Sequence, residues 1–441
     1  MGDDPVVIDR RPRSLAHMFM ERVEVMPDAV AYYYPIEGGW QESTWAQAAE
    51  LVDGLAAGLV ALGVRTEDRV AIVSSTRYEW ILVALAAWSA GAAVTTVRPG
   101  ATDQHLAHVI GDSGARVVIA EKEEQVHTLW RIRAQIRDVT KVVQIDGDYP
   151  DRRVLTLEGL LRLGHDHLAE QPRAIAQRRY AVRREGLAAI LYTAGSDGPP
   201  RGVRLRHSAL TYQGAALTAL GVLGENDLLL LGLPLAHSFG QTLLAAQLSG
   251  GFPAAVDDRP EHLLGSLGVV RPTFLGVTPQ MLTRIRARVE SQQPSGLLRR
   301  RTADRRLRAA VREAFGGRLR FVVSGGAALE RDLAEFFELA GVVVLDGYGL
   351  TEAGGAVCVD LPGDHHAGTV GRPLPGTDVR IADDGEILVA GPGVMDGYHQ
   401  RRADTAAVRR NGWLSTGDSG VLDRDGRLRV LGRHGSAPRP R

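Results

Sequence analysis

Apolar positions along this chain alternate between helical and strand rhythms. Thr44 with Gln47 three residues later forms a capping-box pattern. Leu51, Leu55, Leu59 and Leu62 then recur at helical spacing until Gly63 closes the turn. Short β-branched runs follow at Val70–Val73, Val94–Val97, Val117–Ile119 and Val142–Ile145, with helical stretches such as Gln104–Ile110 between some of them. Strands that alternate with helices pair in parallel through right-handed crossovers, which predicts an open α/β layer. A second series spans roughly 187–345, with strands expected at Ala189–Tyr192, Leu228–Leu231, Thr273–Val277, Phe321–Ser324 and Val342–Leu345. Between the third and fourth lies an arginine-rich helical stretch, Leu297–Phe315. The acidic Asp304 and Glu313 within it favour a solvated helix face over a nucleic-acid patch.

Past residue 370 the rhythm changes to strict alternation. Val379–Ile381 and Glu386–Val389 flank Asp383-Asp384-Gly385, while Gly420–Leu422 and Leu428–Leu431 flank Arg424-Asp425-Gly426. Asp-Gly between alternating strands signals a hairpin. The expected fold class is therefore α/β, two layered α/β subdomains (1–186 and 187–370) plus a small antiparallel β subdomain (371–433). The tail 434–441 has no apolar periodicity and is expected to be disordered. Two long uncharged runs, Ile81–Val97 and Leu228–Val256, are broken by glycine, proline or β-branched clusters. They read as buried helix-and-strand units, not as membrane spans.

Composition adds limits. At 441 residues and 44% hydrophobic, the chain can bury a large core. Its formal net charge of zero gives no bulk attraction to nucleic acid or anionic membrane, which points to small-molecule partners. Lys122 and Lys141 are the only lysines, so a mechanism that needs a lysine late in the chain cannot run on these residues alone. The one cysteine, Cys358, rules out an intrachain disulfide and suits a reducing compartment. With no apolar leader at the start, a cytoplasmic location is expected.

The stretch from Tyr192 to Val203, Tyr-Thr-Ala-Gly-Ser-Asp-Gly-Pro-Pro-Arg-Gly-Val, packs hydroxyls and three glycines into one turn after a buried strand. Such a loop can present backbone N–H groups to an anion, and Arg201 adds a planar cationic donor for phosphate oxygens. The Gly-Lys-Ser/Thr ending of a Walker loop is missing. On spacing alone a plain surface turn fits nearly as well.

The loop resembles that of the adenylate-forming superfamily of acyl-CoA synthetases, luciferases and adenylation domains, Tyr-Thr-Ser-Gly-Thr-Thr-Gly-x-Pro-Lys-Gly-Val. Further segments follow in the family's order: Ser324-Gly-Gly-Ala-Ala-Leu329, Asp346-Gly-Tyr-Gly-Leu-Thr-Glu352, Gly371-Arg-Pro-Leu-Pro-Gly376, Asp384-Gly-Glu-Ile-Leu388 and Gly412-Trp-Leu-Ser-Thr-Gly-Asp418. Thr76-Arg-Tyr-Glu-Trp80 is similar to the long-chain acyl-CoA synthetase branch. The resemblance covers roughly residues 14–433 and implies ATP and Mg²⁺ as cofactors, with a small-molecule acid as substrate. It places Thr193, Ala194, Gly195, Ser196, Asp197, Gly198 and Arg201 at the β- and γ-phosphates. Gly325, Gly326, Ala327, Asp346, Gly347, Tyr348 and Gly349 fall around the adenine. Thr351 falls at the α-phosphate, Glu352 and Ser196 at the metal, and Asp418 and Arg433 at the ribose hydroxyls. Pro234-Leu-Ala-His-Ser-Phe-Gly-Gln241 matches the segment that borders the acid pocket, giving His237, Ser238, Phe239, Thr278, Gly325, Gly349 and Leu350 as its walls. Thr193, Arg201, His237, Thr351 and Glu352 form the implied catalytic set.

Three departures shape the expected function. Ala194, Ser196 and Asp197 replace Ser, Thr and Thr in the phosphate loop, and a carboxylate there repels phosphate unless a cation offsets it. The hinge reads Gly432-Arg-His-Gly-Ser436, and the C-terminal lid domain that would follow is expected to be absent. The expected activity is an AMP-forming ligase that activates a fatty or aryl carboxylic acid as its adenylate and passes it to an amine or a carrier protein. An ATP-dependent diazotase acting on nitrite and a non-catalytic nucleotide-binding homologue are the alternatives.

Overall fold

A computed structural model describes residues 8–193, 198–259, 262–291 and 300–435. Two large sheets form, and the first has eight strands. Its core is Ala93–Val97, Arg69–Val73, Ala115–Ala120, Lys141–Gln144 and Val154–Thr156, all parallel. The β-branched runs of the sequence supply the first four of these strands; Val154–Thr156 is a further one at the edge. The three central strands are buried on both faces, as parallel strands covered by helices must be.

The second sheet has nine strands. Parallel strands Ala254–Val256, Leu229–Leu231, Phe274–Val277, Phe321–Ser324 and Val343–Leu350 make its centre. The arginine-rich stretch is helical over Arg300–Ala314. The smaller unit is a five-stranded antiparallel sheet in which Asp378–Ile381 pairs Glu386–Ala390 and Trp413–Leu422 pairs Leu428–Arg433. Both Asp-Gly hairpins thus form where alternation placed them.

Sheet membership departs from the linear reading. The strand expected to open the second series, Leu187–Thr193, joins the first sheet beside Ala93–Val97, and Arg201–Arg206 folds back antiparallel on it. Conversely, the early hairpin Val30–Ile36 and Gly39–Thr44 closes the edge of the second sheet. Strand pairing is a tertiary choice that chain order does not encode. Of the tail, His434 N–H donates to the Gly417 carbonyl at 2.9 Å; residues 436–441 lie outside the described residues.

The capping box at Thr44 forms in both directions, Gln47 N–H to Thr44 Oγ1 at 3.2 Å and Thr44 N–H to Gln47 Oε1 at 2.9 Å. Of the two uncharged runs, the first becomes helix Tyr78–Ser89 and strand Ala93–Val97. The second becomes strand Leu229–Leu231, helix Ser238–Gly250 and strand Ala254–Val256. Among the described residues no helix is long and apolar enough to cross a membrane. Helix Tyr78–Ser89 is buried at every position but Glu79, as expected of a helix apolar all round. It belongs to one apolar cluster that runs through both large sheets and into the small one at Ile387, Val389, Leu414 and Leu428.

Thr76 joins the two sheets. Its Oγ1 donates to the Leu233 carbonyl at 2.9 Å and accepts from Leu235 N–H at 2.8 Å, and its own N–H reaches Asp258 Oδ2 at 2.7 Å. These bonds fix the chain just ahead of His237.

Candidate active site

In open α/β sheets, ligands sit at the carboxyl ends of the parallel strands. The candidate residues collect there: Thr278 follows strand Phe274–Val277, Gly325 to Ala327 follow Phe321–Ser324, and Asp346 to Leu350 end Val343–Leu350. Gly325 N–H bonds the Val277 carbonyl at 3.2 Å, holding neighbouring loops in register. A Cβ at Gly349 would overlap the Gly355 carbonyl, so only glycine allows the two strands to approach this closely.

Tyr348 connects the large sheet to the small one. Its hydroxyl donates to Asp418 Oδ2 at 2.8 Å, and Asp418 Oδ1 lies 3.3 Å from the Arg433 guanidinium. Asp418 and Arg433 are register partners on adjacent strands, which explains their pairing. Burial, then the Asp418 charge, raise the Tyr348 phenol well above its ordinary value, so it stays protonated and keeps donating.

Thr351 to Ala353 form a single 3-10 turn. Thr351 Oγ1 lies 3.2 Å from Ser238 Oγ, joining the expected α-phosphate residue to the expected acid pocket. Glu352 Oε1 accepts from the Tyr398 hydroxyl at 2.9 Å, and the Arg201 guanidinium sits 4.4 Å from the centre of the Tyr398 ring. Burial and the Glu352 charge together raise the Tyr398 phenol, which therefore also remains a donor. Arg201 faces Thr193 across the strand pair, so both ends of the expected phosphate loop are fixed. Gly198 has φ +109°, while Ala194, Gly195, Ser196 and Asp197 lie outside the described residues.

His237 caps helix Ser238–Gly250 with its backbone, its carbonyl accepting from Gln241 N–H at 3.2 Å. Partial burial of the ring, then the Arg98 charge, lower its pKa, which keeps the imidazole neutral near pH 7. Thr278 accepts from Met281 N–H at 3.4 Å, a helix-capping role. Asp346 Oδ1 accepts its neighbour Gly347 N–H at 3.1 Å.

Two residues at this site escaped the sequence reading. Tyr398 enters because strand Gly397–Tyr398 pairs with Val203 and Arg204, nearly two hundred positions away, and no local signal marks it. Gln213 lies fully buried in helix His207–Ala219. Its Nε2 donates to the carbonyls of Ala356 at 3.0 Å and Ala353 at 3.3 Å, and its Oε1 accepts from Ala356 N–H at 3.1 Å. It thereby pins the chain that follows Glu352. A lone glutamine in an apolar helix segment was the available signal.

Fold and site together define an adenylate-forming architecture, and comparison with known proteins agrees. Residues 19–399 match the family model described as AMP-binding enzyme. The long-chain-fatty-acid–CoA ligase FadD15 of Mycobacterium bovis is 32% identical over 451 residues, covering 95% of this chain and 74% of that protein. Among solved structures, the anthranilate CoA ligase AuaEII in complex with anthranoyl-AMP superposes with a TM-score of 0.82 at 20% identity, over 97% of this chain and 79% of that one. A putative long-chain-fatty-acid CoA ligase from Rhodopseudomonas palustris gives 0.78 at 24% identity, over 96% and 100%. These likenesses, at low identity, speak for the fold. The chain belongs to the AMP-binding enzyme family.

Proposed function

We propose that this protein activates a small carboxylic acid with ATP, forming the acyl-adenylate and releasing pyrophosphate. The observation that carries this reading is a pair of linked side-chain sets: Tyr348 hydrogen-bonds Asp418, which pairs with Arg433, and Tyr398 hydrogen-bonds Glu352 while its ring meets the Arg201 guanidinium; on this reading the first serves base and ribose and the second the phosphates. Nothing stands within 4 Å of an ideal Cβ at Gly326, and on this reading a flat base lies there, with Tyr348, Gly325, Ala327, Asp346, Gly347 and Gly349 around it. Asp418 and Arg433 meet the ribose hydroxyls. Thr193, Gly198 and Arg201, with Ala194 to Asp197 between them, receive the β- and γ-phosphates.

In the reaction a carboxylate oxygen of the acid attacks the α-phosphorus in line. The new P–O bond forms as the bond to pyrophosphate breaks, so the protein needs only to position groups and offset charge. Thr351 donates to an α-phosphoryl oxygen, and Arg201 offsets the leaving pyrophosphate. Neutral His237 donates to the incoming carboxylate and orients it beside Ser238, Phe239, Thr278 and Leu350.

Mg²⁺ fits the donors present. Among the described residues there is no cluster of three or more His, Cys, Asp or Glu to cage a metal. Mg²⁺ commonly binds through one or two carboxylates plus phosphate oxygens, and Glu352, with one oxygen held by Tyr398, offers the other. Glu352, with Ser196, would hold it, and it would neutralise phosphate charge. The test is acid-dependent exchange of radiolabelled pyrophosphate into ATP. Exchange lost on adding EDTA and restored by MgCl₂ supports the reading; silence across aryl, short-chain and long-chain acids overturns it.

A further inference from the structure

We infer that the chain carries a second anion site, a recess behind strand Arg201–Arg206 that takes a diphosphate such as inorganic pyrophosphate. The recess has a volume of about 720 Å³, and Arg204, Arg402 and Arg409 line it with Asp396 as its one acidic wall. Small-ligand pockets commonly span roughly 300–1,000 Å³. Of the residues placed around the ATP phosphates, it shares only Tyr398. The pleat accounts for that separation. Arg204 pairs with Gly397 and Val203 with Tyr398, so alternation puts Arg204 on one face of this sheet edge and Arg201 on the other.

The charges in the recess are not cancelled from within. Asp396 pairs with Arg206 through Oδ1, and its Oδ2 lies 3.6 Å from Arg204 Nε. Arg409 donates one N–H to the Asp396 carbonyl at 3.0 Å, which holds its half-buried side chain in place, and it forms no ion pair among the described residues. Arg402 is exposed and has neither an ion pair nor a hydrogen bond from its side chain among the described residues. Guanidinium groups stay charged at any ordinary pH, so three cations face one carboxylate that two arginines already engage. Helix Arg402–Val408 is fixed to the strand through Thr405, whose Oγ1 accepts from Tyr398 N–H at 2.9 Å. Arg402 and Arg409, at the two ends of that helix, are therefore positioned before any ligand arrives. The walls leave room as well. Gly397, Ala406 and Gly412 contribute little or no side chain, and an ideal Cβ at Gly412 would meet nothing within 4 Å. Three planar donor forks around one recess suit the several oxygens of a diphosphate, which lone surface arginines do not collect.

Binding here needs no turnover, so it is separable from adenylation. Isothermal titration calorimetry with sodium pyrophosphate, without ATP or acid, tests it in the wild type, Arg201→Ala, Arg402→Glu and Arg402→Ala/Arg409→Ala, each checked for folding by thermal melting. Arg201→Ala removes the cation proposed for the ATP phosphates and is expected to leave a binding event. Arg402→Glu, alone or combined with Arg201→Ala, is expected to weaken that event at least about tenfold through loss of a charge-assisted contact, and Arg402→Ala/Arg409→Ala to do the same. Arg116→Glu reverses the charge of an exposed residue five strands along the same sheet from Gly397–Tyr398 and is expected to change nothing. Because Arg402 is exposed and without a side-chain partner, Arg402→Glu keeps the comparison decisive if another variant does not fold. No binding in the wild type, equal affinity in Arg402→Glu, loss of all binding in folded Arg201→Ala, or an equal loss in Arg116→Glu overturns the inference.

Discussion

Tyr348 gives its hydroxyl to Asp418, while on the proposed function its ring meets the base, and substitution separates the two. Tyr348→Phe keeps the ring and loses one hydrogen bond to a charged group, worth about 1.5–3 kcal/mol. On the proposed function its KM for ATP rises by about an order of magnitude or more while kcat changes little; Tyr348→Ala raises it further. Steady-state exchange kinetics read both. Asp360 gives a second prediction at this scale. It is 3% exposed, its Oδ1 has no hydrogen-bond partner, and burial, with the nearby Asp346 charge, pushes its pKa up from 3.8 to about 7. The folded chain therefore holds a proton that the unfolded chain has already released. Stability falls as pH rises from about 4 to about 7 and levels off above. Asp360→Asn is expected to melt higher than wild type at pH 8, with the difference shrinking toward pH 4.5. Melting curves across that range check the sign.

Helix His207–Ala219 contributes through one side chain, and the loop it serves carries the chemistry. Replacing Gln213 by leucine strands the Ala356 N–H and two carbonyls in a buried setting, at a cost of about 1–3 kcal/mol, read by urea denaturation. Exchange activity falls too, because the turn that places Thr351 and Glu352 loosens. Elements of this kind also show what a sequence reveals. Phe321–Ser324 was legible to the residue, since a strand buried on both faces must be a continuous apolar run. Arg201–Arg206 was not, because arginine at every second or third position resembles an exposed loop. The site divides similarly. Tyr348, Thr351, Glu352, Asp418 and Arg433 announced themselves through motif spacing. Tyr398 and Gln213 did not, because their contacts exist only after distant segments pair.

At the scale of the molecule, Thr76 makes three hydrogen bonds between the two large sheets. Thr76→Val retains the shape and removes the hydroxyl, leaving the Leu233 carbonyl and the Leu235 N–H unpaired. The expected loss is about 1–3 kcal/mol in chemical denaturation, with a raised KM for the acid because the segment leading to His237 is no longer held. Val421 and Leu431 on the small sheet stay exposed, while Ile387, Val389, Leu414 and Leu428 pack into the core and Asp418 accepts from Tyr348. The sheet's anchorage passes beside the proposed base pocket. Occupancy of that pocket would then slow deuterium uptake along Trp413–Leu422 and Leu428–Arg433, including amides that no nucleotide could touch. The hairpin would serve as a remote gauge of whether the pocket is full, readable by mass spectrometry without any turnover.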